Sequence, residues 1–86
     1  MPTISAFFGI LIRMFYNDHG PAHFHAEYQG ERASFDFEGN LLEGEMRSRT
    51  AIQLVRQWAE LHRTELEDDW QRAREGRPLN YIEPLR

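Results

Sequence analysis

Eighty-six residues without a cysteine leave room for one domain and its core, and exclude both a disulfide framework and a thiolate metal site. A net charge of −4 removes the overall basic field that draws a protein onto nucleic acid. The longest apolar run, Phe7 to Ile12, is too short to span a bilayer, and no charged leader opens the chain, so a cytoplasmic protein is expected.

Gly9 to Tyr16, "GILIRMFY", is β-branched and aromatic enough for a first strand, buried on both faces. The turn "NDHGP" ends it. In "HFHAEY", Phe24, Ala26 and Tyr28 point one way and His23, His25 and Glu27 the other. The next run alternates as strictly, with Ala33, Phe35 and Phe37 against Arg32, Ser34, Asp36 and Glu38. Gln29 and Gly30 between the two suit a two-residue hairpin turn. That turn pairs Tyr28 with Glu31, Ala26 with Ala33 and Phe24 with Phe35 on one face, and Glu27 with Arg32, His25 with Ser34 and His23 with Asp36 on the other; a loop longer by two residues would instead put His25 across from Asp36. After Gly39 and Asn40, "LLEGEM" puts Leu42 and Met46 on the apolar side and Glu43 and Glu45 on the polar side.

From Thr50 the period becomes helical: Ala51, Val55, Trp58, Ala59, His62, Leu66, Trp70 and Ala73 recur every three or four residues. Thr50 with Gln53 suggests a capping box, and Thr64 with Glu67 a second one that would break the helix near His62. One long helix is favoured, because Arg63–Glu67 and Asp68–Arg72 stand at i,i+4 spacing. Gly76 and Pro78 stop it, and a tail with Tyr81, Ile82 and Leu85 runs extended over the domain. The expected architecture is α+β over residues 1–86: a three- or four-stranded antiparallel meander packed on one long C-terminal helix, with an extended C-terminal tail.

Three of the four histidines, His19, His23 and His25, fall within seven residues. Two imidazoles at alternate positions of one strand begin a transition-metal site, which His19, Asp18 or a sheet carboxylate could complete; the set His19, His23 and His25 is the leading metal triad, with Zn or another divalent ion as its cofactor. The same groups suit acid–base catalysis, with Asp18 or Asp36 orienting an imidazole, although no activated nucleophile is visible. The competing structural reading has them satisfying backbone groups in a Gly-Pro turn. Arg47 and Arg49 precede the helix and form a second candidate site, for an anion at the helix N-terminus. All ten basic residues are arginine, which fits anion recognition and fits codon bias equally. Trp58, Trp70 and His62 lie on the apolar stripe and read as core.

The opening "MPTISAFFGI", the stretch "YNDHGPAHFHAEY", "LVRQWAELHRTEL" and the closing "IEPLR" together resemble the small prokaryotic family named domain of unknown function 4160. Its D-H-x-P-x-H-F-H signature is matched by Asp18, His19, Pro21, His23, Phe24 and His25, with Ala22 where a second proline is expected. The resemblance implies a cytoplasmic bacterial protein encoded beside another small protein, in gene pairs of the toxin–antitoxin type, and brings no established activity. The leading expectation is therefore a module that binds the neighbouring gene's product through its histidine face. The alternative is a small ribonuclease-like hydrolase using the histidines with or without a metal. Nucleic-acid binding through Arg47, Arg49 and Arg56 is disfavoured by net charge.

Overall fold

Hairpin turns and alternating strands dominate the first half of the chain in the computed structural model, which describes residues 2–86. Five strands, β1 (Thr3–Phe7), β2 (Ile10–Arg13), β3 (Phe24–Tyr28), β4 (Glu31–Phe35) and β5 (Leu41–Gly44), are followed by helices α1 (Arg49–Leu61) and α2 (Arg63–Arg74). The strands form one antiparallel sheet in the order β1-β2-β3-β4-β5. The fold is α+β as expected, with more strands and a divided helix.

The extra strand comes from Phe8 and Gly9, both at positive φ (50° and 80°), the backbone of a tight hairpin turn. Phe8 is 60% exposed: an aromatic residue in the middle of an apolar run occupies a turn tip, so what reads as one strand from Gly9 folds back on β1. β2 is consequently not buried on both faces; Ile10 and Ile12 are buried while Leu11 and Arg13 are only partly so.

The β3–β4 hairpin has the register read from its sequence, from Phe24 opposite Phe35 to Tyr28 opposite Glu31, and its turn residues Gln29 and Gly30 both have positive φ. His23 precedes the paired region, so its pairing with Asp36 does not form. β5 is exposed along its length. Leu42, expected to be on the apolar side, is 43% exposed, whereas Met46 is buried.

Ile10, Ile12, Phe24, Ala26, Ala33 and Phe35 carry the sheet's apolar face into a core shared with Val55, Trp58, Ala59, Leu66 and Trp70. Phe24 stacks on Phe35 at 5.8 Å and meets Trp58 edge-on at 5.6 Å. Burying aromatics of this size contributes roughly 1.5–3 kcal/mol each.

The helical segment breaks at His62, where φ is −119° and ψ 28°. The two i,i+4 ion pairs that favoured a continuous helix do form, Arg63–Glu67 at 3.0 Å and Asp68–Arg72 at 2.9 Å. Both lie inside α2, however, and neither crosses the break. The N-cap of α1 is Ser48, whose hydroxyl accepts from the Ala51 N–H, so Thr50 lies inside the helix. His62 is partly buried against Trp58 and pairs with Glu65 at 2.5 Å; it sits at a bend and not in a continuous apolar stripe.

The tail runs extended, as expected, and latches the β1 edge. The Ile82 N–H donates to Ile4 O at 2.7 Å, and Trp58 Nε1 donates to Glu83 O at 2.9 Å. Ile82 and Leu85 are buried, while Tyr81, expected to dock, is 61% exposed.

Candidate functional site

Both helices cover one face of the sheet, and the opposite face carries the polar positions of the same strands. Register fixes one row across it: Arg13 is opposite His25, His25 opposite Ser34, and Ser34 opposite Glu43. A second row sets Leu11 opposite Glu27 and Glu27 opposite Arg32. Directly opposed side chains on one face lie roughly 4.5–5.5 Å apart at Cβ.

The loop between β2 and β3 folds back so that Asp18 meets this surface. Asn17 takes a positive φ of 54° and Gly20 one of 80°, which gives the sharp bends that the loop needs. Asp18 Oδ2 lies 2.9 Å from His23 Nε2 and 3.2 Å from His25 Nε2. The two imidazoles stand 5.0 Å apart at their centroids. His23 packs against Trp70 at 5.3 Å and His25 against Phe15 at 4.4 Å, so both rings are held by aromatic neighbours.

Proton bookkeeping makes the cluster chemically pointed. His23 Nδ1 lies 2.8 Å from Pro21 O, an acceptor only, so Nδ1 carries a proton and donates. In neutral His23 the lone pair then sits on Nε2, facing a carboxylate oxygen 2.9 Å away. Two acceptors at that distance repel. The arrangement is stable when His23 is an imidazolium, or when a cation stands between nitrogen and oxygen.

The distances are those of ordinary hydrogen bonds, as the first state requires, and they also accommodate the second. One donor atom each from Asp18, His23 and His25 lies within 4.8 Å of the others. Zn–N and Zn–O bonds of roughly 2.0–2.1 Å in a tetrahedron place ligand atoms roughly 3.3 Å apart, close to the 2.9 and 3.2 Å separations here. The Pro21 carbonyl on Nδ1 is the kind of outer partner that fixes a ligand histidine's tautomer.

Asp18 is partly buried, which alone would raise its carboxyl pKa. Hydrogen bonds from His25 and the His19 N–H, with the charge of and hydrogen bond from His23, outweigh burial and hold it below the ordinary carboxylate range. The carboxylate is ionised and ready to accept a proton donor or a metal.

The remaining candidates lie apart. His19 contributes its backbone N–H to Asp18 Oδ1 at 3.0 Å, while its exposed imidazole stays outside the cluster; Asp18 takes the third position assigned to it from sequence. Asp36 caps its own turn, accepting from the Glu38 and Asn40 N–H groups at 2.9 Å each and from the Asn40 side chain. Burial would raise its pKa, and these hydrogen bonds lower it on balance. Arg47 pairs with Glu31, with Nε 2.6 Å from Oε2 and its backbone N–H 2.9 Å from Oε1; Arg49 is the exposed first residue of α1. Trp58 and Trp70 are core.

Arg13 escaped the sequence reading. Its Nε–H is buried without a hydrogen-bond partner among the described residues, and it reaches Glu27 only at 3.9 Å. Glu27 instead pairs with Arg32 at 2.8 Å. The signal was available in the alternation of "GILIRMFY", which puts Arg13 on the face of His25 once the β2–β3 register is known.

An antiparallel meander with two helices on one face, and a His-His-Asp cluster that reaches from the other face to Trp70 of α2, defines a class of small α+β protein. The family model described as "Domain of unknown function (DUF4160)" matches residues 9–71, and the chain belongs to that family. The match is narrower than the Met1–Arg86 resemblance read from sequence; it leaves out β1 and the C-terminal tail and includes the whole cluster. No curated protein and no solved structure matches the chain.

Proposed function

We propose that this protein is a divalent-metal protein of catalytic type, a small metal-dependent hydrolase centred on Asp18, His23 and His25. The observation that carries the reading is the shared carboxylate oxygen, Asp18 Oδ2, facing both Nε2 atoms while the Pro21 carbonyl accepts the Nδ1 proton of His23. Two imidazoles and one carboxylate form a three-ligand set. A closed structural zinc site has four protein ligands, whereas three leave a position for water, whose pKa a catalytic Zn lowers to roughly 7. Imidazole donors favour Zn or a neighbouring transition metal over Mg or Ca.

Zn added to metal-free protein at about a hundred times its Kd should contribute roughly 2.7 kcal/mol by mass action. In a domain of this size that raises the melting temperature by more than about 10 °C. His25→Ala should abolish the gain. An unchanged melting temperature in the wild type would contradict the reading.

A second reading, the partner-binding half of a toxin–antitoxin-like gene pair, is supported by a separate feature. The β1 edge is latched by the tail, while β5, the other edge strand, is exposed with Leu41 and Leu42 both over 40% exposed. Bare apolar edges recruit strands from other chains. On this reading the neighbouring gene's product co-purifies with the protein, and Leu42→Lys weakens the pair.

A further inference from the structure

We infer that the open sheet face beside His25 is a binding site for a phosphate monoester, held by Arg13 next to the metal. The inference rests on the metal reading above and names its ligand class. A hollow of about 210 Å³ is lined by Leu11, Arg13, Phe15, His25, Glu27 and Arg32. That is below the roughly 300–1,000 Å³ of pockets for drug-sized molecules, so the ligand is small.

Charge decides its sign. Arg13 and Arg32 face Glu27 across this hollow, and Arg32 already neutralises Glu27 at 2.8 Å. Arg13 is left under-used: its side chain is 27% exposed, and Nη1 stands 3.9 Å from Glu27, beyond hydrogen-bond reach. A guanidinium offers a planar fork that oxyanions fill two atoms at a time. The hollow on the other side of the cluster is lined by His19, His23, Ser34, Leu42 and Glu43; it holds a carboxylate and no guanidinium, so the anion belongs on the Arg13 side.

Register then selects phosphate over carboxylate. Arg13 is directly opposite His25, so an anion on the guanidinium lies beside a metal held by His25. A carboxylate spends both oxygens on the fork. A tetrahedral phosphate keeps further oxygens, one to reach the metal and one to carry an ester group. Leu11 and Phe15 provide an apolar wall for that group.

The test titrates phenyl phosphate and inorganic phosphate into Zn-loaded and metal-free protein by calorimetry, with wild type, Arg13→Gln and Arg13→Lys. Phenyl phosphate should bind Zn-loaded wild type more tightly than inorganic phosphate does. Arg13→Gln should lose roughly tenfold, as for a charge-assisted hydrogen bond, with Zn affinity unchanged; Arg13→Lys, which keeps the charge and loses the fork, should fall between. If Zn binds and phenyl phosphate does not, or binds Arg13→Gln as well as wild type, the anion site is wrong and the metal site stands. If Zn fails to bind while phenyl phosphate still depends on Arg13, the metal reading falls and Arg13 remains an anion site. If neither binds, both are overturned.

Discussion

Phe24 and His25 are neighbours in the chain and meet opposite surroundings. The Phe24 ring is fully buried between Phe35 and Trp58, against the helices. The His25 ring, one pleat away, reaches Asp18 on a face that no helix covers. Dense packing makes the first face intolerant of change, because a lost ring leaves a cavity that neighbours refill only partly. The second face is free of that constraint, so its residues can be chosen for chemistry.

The largest effect should separate the two faces outright. Phe24→Ala should cost about 3–5 kcal/mol of unfolding free energy, the range for an aromatic removed from a core. His25→Ala in metal-free protein should cost no more than about 1 kcal/mol, since the partly exposed pair it removes is screened by solvent. Urea denaturation of both variants measures this directly. Equal losses would mean that the open face is also a packing surface.

Much of this contrast is visible in the alternation of residues 23–37, because period two is strict there and Gln29-Gly30 sets the register. The loop carrying Asp18 is a different case. Its contact with His23 and His25 depends on where positive φ at Asn17 and Gly20 sends the chain, and spacing cannot tell that Asp18 turns inward while His19 turns out. Asp36 misleads for a related reason. β4 ends at Phe35, so Asp36 leaves the alternation and sits beside Arg63 of α2, where local N–H groups in its own turn satisfy it. The helix break falls at His62, the alternative that the sequence offered, and the ion pairs that favoured one helix lie within α2 and carry no information about it.

A smaller effect comes from a charge that violates the apolar logic of the covered side. Asp69 on α2 is fully buried, and Oδ2 has no hydrogen-bond partner among the described residues. Burial raises its pKa, opposed by the Asn80 N–H at 2.8 Å and the nearby Arg72 charge, and reinforced by Asp68 and Glu65. A raised folded-state value means that ionised Asp69 opposes folding above it. That penalty fades as pH falls through the folded value toward the ordinary carboxylate range. Asp69→Asn should therefore stabilise the protein at pH 7 by about 1 kcal/mol, and the advantage should shrink as pH approaches 4. Melting curves across that pH range check it; a variant less stable than wild type at pH 7 would show that the Asn80 contact needs the charge.

Calorimetric titration of Zn into metal-free wild type, Asp18→Ala and His19→Ala tests the central claim most directly, because these neighbours differ in which one the fold turns onto the strand histidines. Wild type should bind more tightly than about 10 μM, roughly 7 kcal/mol. His19→Ala should stay within about threefold of it, and Asp18→Ala should lose at least about tenfold, roughly 1.4 kcal/mol. Wild-type affinity in Asp18→Ala, with the loss appearing in His19→Ala instead, would contradict the account.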